Sequence, residues 1–183
     1  VAALVERDEK FGKSYFSLNS DGSRADLIMI KGGGYRHPSS EETLREKVVD
    51  EYGNIRSDEQ GYMQGGDVFN FVIREIPRDI KKTLEYAGDT ADSFDYIVFH
   101  QANNFINAYI AKKMKLDTDK IPSTIAKYGN TSSVSVPLTI VSELKDRLYG
   151  NKKLLLSAFG VGMTWATGIV PFVDCKISDI VEV

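Results

Sequence analysis

Cysteine is nearly absent from this 183-residue chain: Cys175 stands alone, so no intrachain disulfide can form and no CxxC pair exists for metal or redox chemistry. Histidine is almost as scarce. With only His37 and His100, and no acidic cluster beside either, the residue set for a metal centre is missing. No apolar run approaches the roughly 18 residues that a membrane-spanning helix needs, and the first residues lack the basic, apolar and small-residue order of a secretory leader. An excess of positive charge is lacking too: 23 Lys and Arg face 26 Asp and Glu, for a net charge of −3, whereas a nucleic-acid binder presents a strongly basic face. These absences leave a cytoplasmic protein that meets small molecules or other proteins, not nucleic acid or membrane. A starting Met is also missing, and "VAALVE" reads as a strand already under way, which marks the sequence as a piece of something longer.

What is present is enough apolar material, 42% of residues, for one sizeable core. The β-prone runs "AALVE" (2–6), "SYFSL" (14–18) and "DLIMI" (26–30), separated by turn residues, predict consecutive strands. Residues 31–62 are rich in glycine, serine and charge and predict a long excursion, with "KGGGY" as flexible loop. From Asp67 the spacing of Val68, Phe69, Val72, Ile73, Ile76, Ile80 and Leu84 predicts a helix ending at Gly88, kinked or broken at Pro77. "DYIVF" (95–99) predicts a buried strand. A helix follows from about Asn103, with Phe105, Ile106, Tyr109, Ile110 and Met114 inward and the lysines of "AKKMK" solvated. Another runs from about Ser133 to Leu148, with Pro137 in its first turns, and "KLLLSAFG" and "TWATGIVPF" close the chain as strands. Strands followed by strand–helix alternation predict an α/β fold with a mixed sheet.

Three motifs carry candidate chemistry. In "FHQANNF", His100 ends the buried strand where a helix begins, the edge at which α/β folds place ligands. A lone histidine is more often a satisfied core residue; what sets this one apart is Asn130 in "YGNTSSVSVP", also just before a helix and flanked by Gly129 and small hydroxyl residues. Asn, Thr and Ser cap helices well, but capping does not explain both motifs. In "AFGVGMTW" the GxG precedes a strand, so it is neither a dinucleotide fingerprint nor a phosphate loop; it reads as a tight turn presenting backbone N–H groups. Cys175, with no base nearby in sequence and no helix N-terminus to lower its pKa, reads as a structural thiol. His37 has nothing to support a role.

The three motifs together, in this order, resemble the C-terminal half of β-ketoacyl-acyl carrier protein synthase III, a thiolase-like condensing enzyme. "MQGGDVFNFVI" and "DGSRADLIMIKGGG" are similar to that family as well, so the resemblance runs from about Val1 to Phe172. It implies that residues 1–183 form one C-terminal thiolase-like domain of a two-half enzyme, a five-stranded mixed sheet flanked by helices. It also implies an acyltransferase that carries out the decarboxylating Claisen condensation of a malonyl-carrier thioester with an acyl-CoA starter in fatty-acid synthesis. On this resemblance His100 and Asn130 stabilise the malonyl enolate; Gly160, Val161 and Gly162 form an oxyanion-binding backbone loop; and Phe69, Ala102, Asn103 and Phe159 line the pantetheine channel. The nucleophilic cysteine belongs to the missing N-terminal half, so this fragment alone is expected to be inactive. No cofactor is implied, since coenzyme A and acyl-carrier thioesters are substrates. The implied partners are acyl carrier protein, acyl-CoA, the N-terminal half and, when intact, a second copy as a homodimer. Where the family has an arginine associated with carrier docking, this chain has Phe105. Other readings of the same motifs are a related acyltransferase of secondary metabolism or hydrocarbon synthesis, or a non-catalytic module binding an acyl thioester or a protein. An isolated half exposes an apolar face and is expected to self-associate or dissolve poorly.

Overall fold

The computed structural model describes residues 1–7 and 11–181. In chain order the elements are β1 (Tyr15–Ser20), a 3₁₀ turn (Gly22–Leu27), β2 (Ile28–Met29), α1 (Glu41–Leu44), β3 (Lys47–Val48), β4 (Ile55–Arg56), β5 (Tyr62–Met63) and α2 (Gly65–Ala87). These are followed by β6 (Tyr96–Phe99), α3 (Asn104–Met114), α4 (Ile125–Tyr128), α5 (Ser135–Leu144), β7 (Asn151–Gly160) and β8 (Thr164–Val173). The chain packs as two compact units, one of residues 1–19, 71–159 and 165–183 and one of residues 20–70 and 160–164.

The first unit is built on a sheet with strand order β1-β8-β7-β6. β6 and β7 run parallel, with Tyr96 opposite Leu154 and Phe99 opposite Ser157. β7 and β8 are joined by a three-residue turn, which only an antiparallel pair allows. The main sheet is therefore mixed, as expected, but has four strands among the described residues, not five. "AALVE" is the expected strand that is missing: residues 1–7 join no ladder, and Leu4 and Val5 are 94% and 89% exposed. Their β-prone side chains have no neighbouring strand to pack against, and propensity alone does not make a strand.

Two helices, α5 and α2, pack on strands of this sheet. Leu154 packs with Val98 against Ile140 and Leu144 of α5 and Leu148 beyond it. On β8, Thr167 donates to Asp79 Oδ2 of α2 at 2.6 Å and Trp165 meets Phe71 of α2 edge-on, with ring centroids 5.1 Å apart. Asp79 is 4% exposed and also accepts from Ser17 Oγ at 2.5 Å and Asn19 Nδ2 at 2.8 Å. A buried polar knot thus fastens α2 to both β1 and β8.

α2 carries the predicted apolar stripe: Val68, Val72, Ile76, Ile80 and Leu84 are buried, joined by Phe71, while Phe69 and Ile73 are only partly buried. It also runs through Pro77, where a kink or break was expected. Proline cannot donate to the carbonyl one turn back, Ile73 O. Lys113 Nζ of α3 donates to that carbonyl instead, at 2.7 Å, so the orphaned acceptor is satisfied. Lys113 is consequently tied down, not one of a solvated row. α3 is also turned from the expected face. Ile106 and Ile110 are buried, but Asn107 and Ala111 accompany them, and Phe105 is 69% exposed.

The second unit replaces the expected 31–62 excursion with short ladders, β2 with β5 and β3 with β4, both antiparallel. "KGGGY" is not free loop: Gly32 N–H donates to Asp58 O at 2.7 Å, and Lys31 Nζ sits 4.3 Å from the Tyr62 ring centre. Two-residue strands carry no readable period, which is why the composition suggested only loop. α1 is closed by a capping box in which Ser40 and Thr43 exchange side-chain and backbone hydrogen bonds. Among the described residues no helix is long and apolar enough to cross a membrane.

Candidate active site

His100 follows β6 directly, at the C-terminal edge of the parallel β6–β7 pair, where open α/β sheets bind ligands. Its backbone is fixed on both sides: its N–H donates to Ser157 O at 2.8 Å, and its carbonyl accepts from Asn107 Nδ2 at 3.2 Å. The next residue, Gln101, is fully buried and acts as a staple. Its amide donates to Phe99 O at 2.8 Å, while its Oε1 accepts from Thr124 N–H at 3.0 Å and Ser123 Oγ at 3.1 Å. Its own N–H donates to Ser135 Oγ at 3.3 Å. Both ends of the segment that carries Asn130, Thr124 and Ser135, are therefore tied to the residue after His100.

The His100 ring is held by two contacts. Nδ1 lies 2.6 Å from Ser135 Oγ, and the Phe159 ring meets the imidazole edge-on at 86° with centroids 5.2 Å apart. Burial pushes the ring below its ordinary pKa of 6.5, so at neutral pH it is uncharged. The sign for stability follows. The unfolded ring takes a proton more readily, so this group's contribution is full above about 6.5 and is lost as pH falls below that value.

Asn130 is exposed, and its orientation is set locally. Oδ1 accepts from Ser132 N–H at 2.9 Å; because a backbone N–H can only donate, the oxygen must face it and the Nδ2 amide is left as an outward donor. The preceding Gly129 has φ +66 and ψ −155, a backbone state that a side chain disfavours. Each of the two predicted catalytic residues thus has one polar side-chain atom engaged by the protein, Nδ1 of His100 by Ser135 Oγ and Oδ1 of Asn130 by Ser132 N–H, and one left over. Sequence reading passed over the residues that make it so, Ser135, Gln101 and Asn107. Ser135 stood inside a motif already singled out, and a hydroxyl opening a helix was its only signal.

The remaining predicted residues fall into two groups. Ala102 and Asn103 follow directly on Gln101; Asn103 caps α3 by accepting from Ile106 N–H at 2.8 Å and is exposed, and Ala102 is partly buried. Phe159, on β7, meets the His100 ring edge-on. Phe69, partly buried on α2, belongs to the second unit. So do Gly160, which ends β7, and Val161 and Gly162, which with Met163 form the tight turn. There Met163 and Asp21 exchange backbone hydrogen bonds at 2.8 and 3.0 Å, and Gly162 has φ +138 with a would-be Cβ only 2.7 Å from Thr164 Cγ2. Only glycine fits at position 162. Cys175 is a free thiol and exposed. His37 lines a small surface recess with Lys31, Glu42, Thr43 and Asp58, and no group of metal-ligating side chains occurs among the described residues.

Known proteins similar to this chain share one family description. The family described as 3-oxoacyl-[acyl-carrier-protein] synthase III C terminal matches residues 84–172. A β-ketoacyl-[acyl-carrier-protein] synthase III of Streptococcus pneumoniae (strain Hungary19A-6) is 34% identical over 171 residues, 91% of this chain and 49% of the relative. A crystal structure of a 3-oxoacyl-(acyl-carrier-protein) synthase III superposes with a TM-score of 0.83 at 34% identity, covering 94% of this chain and 50% of the other. The corresponding synthase from Burkholderia xenovorans LB400 gives a TM-score of 0.78 at 36% identity, covering 91% and 46%. The chain therefore spans about half the length of the relatives it matches.

Proposed function

We propose, for a chain that belongs to the β-ketoacyl-[acyl-carrier-protein] synthase III family as its C-terminal half, that His100 and Asn130 supply the paired donors for decarboxylation of a malonyl-carrier thioester. Loss of carbon dioxide turns the thioester carbonyl into an enolate, so negative charge develops on one oxygen. Preorganised neutral donors aimed at that oxygen stabilise the transition state by about 3 kcal/mol each. Carboxylates in either position would repel it. The nucleophilic cysteine that takes up the acyl starter from coenzyme A lies, on this reading, in the N-terminal half. This chain contributes one side of a shared site.

The observation that carries the proposal is that Ser135 Oγ lies 2.6 Å from His100 Nδ1 and that Ser132 N–H donates to Asn130 Oδ1, which leaves Nε2 and Nδ2 as the atoms with no protein partner among the described residues. What remains, Nε2 and Nδ2, is a pair of donors with no formal charge to retain the departing carboxylate. Phe159, edge-on to the imidazole, keeps an apolar surface beside the ring where the carboxylate is to be lost. The turn at Gly160, Val161 and Gly162 is read as the backbone oxyanion loop for the acyl–cysteine intermediate. Phe69, Ala102, Asn103 and Phe159 are read as pantetheine-channel residues by their match to the family motifs. Substrates that bring their own thioester chemistry leave no step needing a resident cofactor or metal. The setting read for this reaction is the cytoplasm, in a homodimer that receives acyl carrier protein.

The test is direct. Full-length protein given acyl-CoA and malonyl-carrier should form a 3-oxoacyl-carrier product with release of one carbon dioxide per turnover. Product formed with an acyl-CoA in place of the malonyl donor, or none with either, would contradict the reading.

A further inference from the structure

Ser135 opens α5 with its side chain 1% exposed, and its Oγ has two neighbours, Gln101 N–H at 3.3 Å and His100 Nδ1 at 2.6 Å. No other hydrogen-bond partner of that oxygen occurs among the described residues. The backbone N–H can only donate, so it takes one lone pair of Oγ. The hydroxyl proton then needs an acceptor, and Nδ1 is the one within reach. Were Nδ1 protonated instead, Oγ would accept twice and its own O–H would be buried with nothing to bond, a loss that folded proteins avoid. Proton counting therefore gives the 2.6 Å contact a direction.

We propose that Ser135 is a positioning residue: its hydroxyl donates to Nδ1 and confines the neutral His100 ring to the tautomer with its proton on Nε2. In an imidazole the hydrogen bond made by one nitrogen decides what the other carries, so Ser135 determines that the nitrogen away from it is a donor. The same bond resists protonation of Nδ1, because an imidazolium would face a hydroxyl with no second acceptor to turn to. The proposal rests on the reading of His100 as enolate donor for its functional consequence, and on the contacts at Ser135 Oγ for the tautomer. A merely structural Ser135 would still accept from Gln101 N–H but would leave the ring proton unspecified.

The experiment is nitrogen-15 NMR of the full-length protein labelled at histidine, with the His100 resonances assigned by their loss in His100→Gln. The expected result is an unprotonated, hydrogen-bond-accepting Nδ1 and a protonated Nε2 in the resting protein. A proton on Nδ1 would overturn the proposal whatever the activity. Ser135→Ala should remove the hydrogen-bond shift at Nδ1 and slow malonyl decarboxylation by about tenfold with KM unchanged, the scale on which orienting partners act; Ser135→Thr, which keeps the hydroxyl, should restore both. A folded Ser135→Ala protein with an unaltered Nδ1 signal and wild-type decarboxylation also overturns it. Should the wild type show the expected tautomer yet decarboxylate no malonyl thioester, the condensing reading fails and the assignment of the hydroxyl proton stands.

Discussion

Replacing His100 by alanine in the full-length protein is expected to slow malonyl decarboxylation by about 10²–10³-fold while leaving acyl transfer to the cysteine within a few-fold of wild type. The split follows from where the charge develops. Decarboxylation puts a full negative charge on one thioester oxygen, and Nε2 is one of two donors proposed to meet it. Acylation places its charge at a different centre, read here as served by the backbone turn at Gly160–Gly162. The strand end should keep its place, because Ser157 O to His100 N–H and Asn107 Nδ2 to His100 O do not involve the imidazole, while the buried Ser135 hydroxyl loses its acceptor at a cost of about 1–3 kcal/mol in stability. Stopped-flow acylation alongside carbon dioxide release separates the two half-reactions. Equal loss in both would assign His100 to general integrity of the site, and unchanged decarboxylation would remove it from the chemistry.

Asp79→Ala should destabilise this chain by about 2–3 kcal/mol, the scale for leaving one buried and two partly buried donors without their acceptor. Ser17 Oγ, Asn19 Nδ2 and Thr167 Oγ1 all converge on this one carboxyl at 2.5–2.8 Å. Thr167 is 1% exposed, so water cannot easily replace the lost partner. Asn19 also donates to Ser17 Oγ at 2.9 Å, which means the knot is shared and its loss is not the sum of its bonds. Asp79→Asn should cost about 1 kcal/mol, because the Ser and Thr hydroxyls can rotate to accept from the new amide. Urea unfolding followed by emission of the single tryptophan, Trp165, which packs on the same helix, reads both. A midpoint shift worth under about 0.5 kcal/mol for the alanine variant, with an unchanged slope, would show that the knot contributes nothing net.

The parts of the fold that were legible in the sequence were those with a period or a fixed cap. α2 announced itself through Val68, Val72, Ile76, Ile80 and Leu84, and β6 through a short apolar run at a strand–helix junction. Pro77 misled because the remedy for its missing N–H lies far along the chain, in Lys113. α3 misled for a related reason: Asn107 is drawn inward by the His100 carbonyl, a polar demand that apolar periodicity does not register. Residues 2–6 had strand propensity but no partner, and the β2–β5 and β3–β4 ladders were too short to show any pattern. For the site, the motif residues His100 and Asn130 stood out by type and context. The residues that orient them did not, since Ser135 and Gln101 are ordinary in sequence and become informative only once their hydrogen bonds close around the histidine.

The central claim is geometric, that one oxygen sits between two neutral donors. The measurement that tests it most directly is a crystal structure of the full-length protein with a non-decarboxylating malonyl-thioester analogue. The account predicts Nε2 of His100 and Nδ2 of Asn130 both at about 2.7–3.1 Å from the same thioester oxygen. An oxygen bound by neither, or by backbone N–H groups while both side chains face elsewhere, would contradict it.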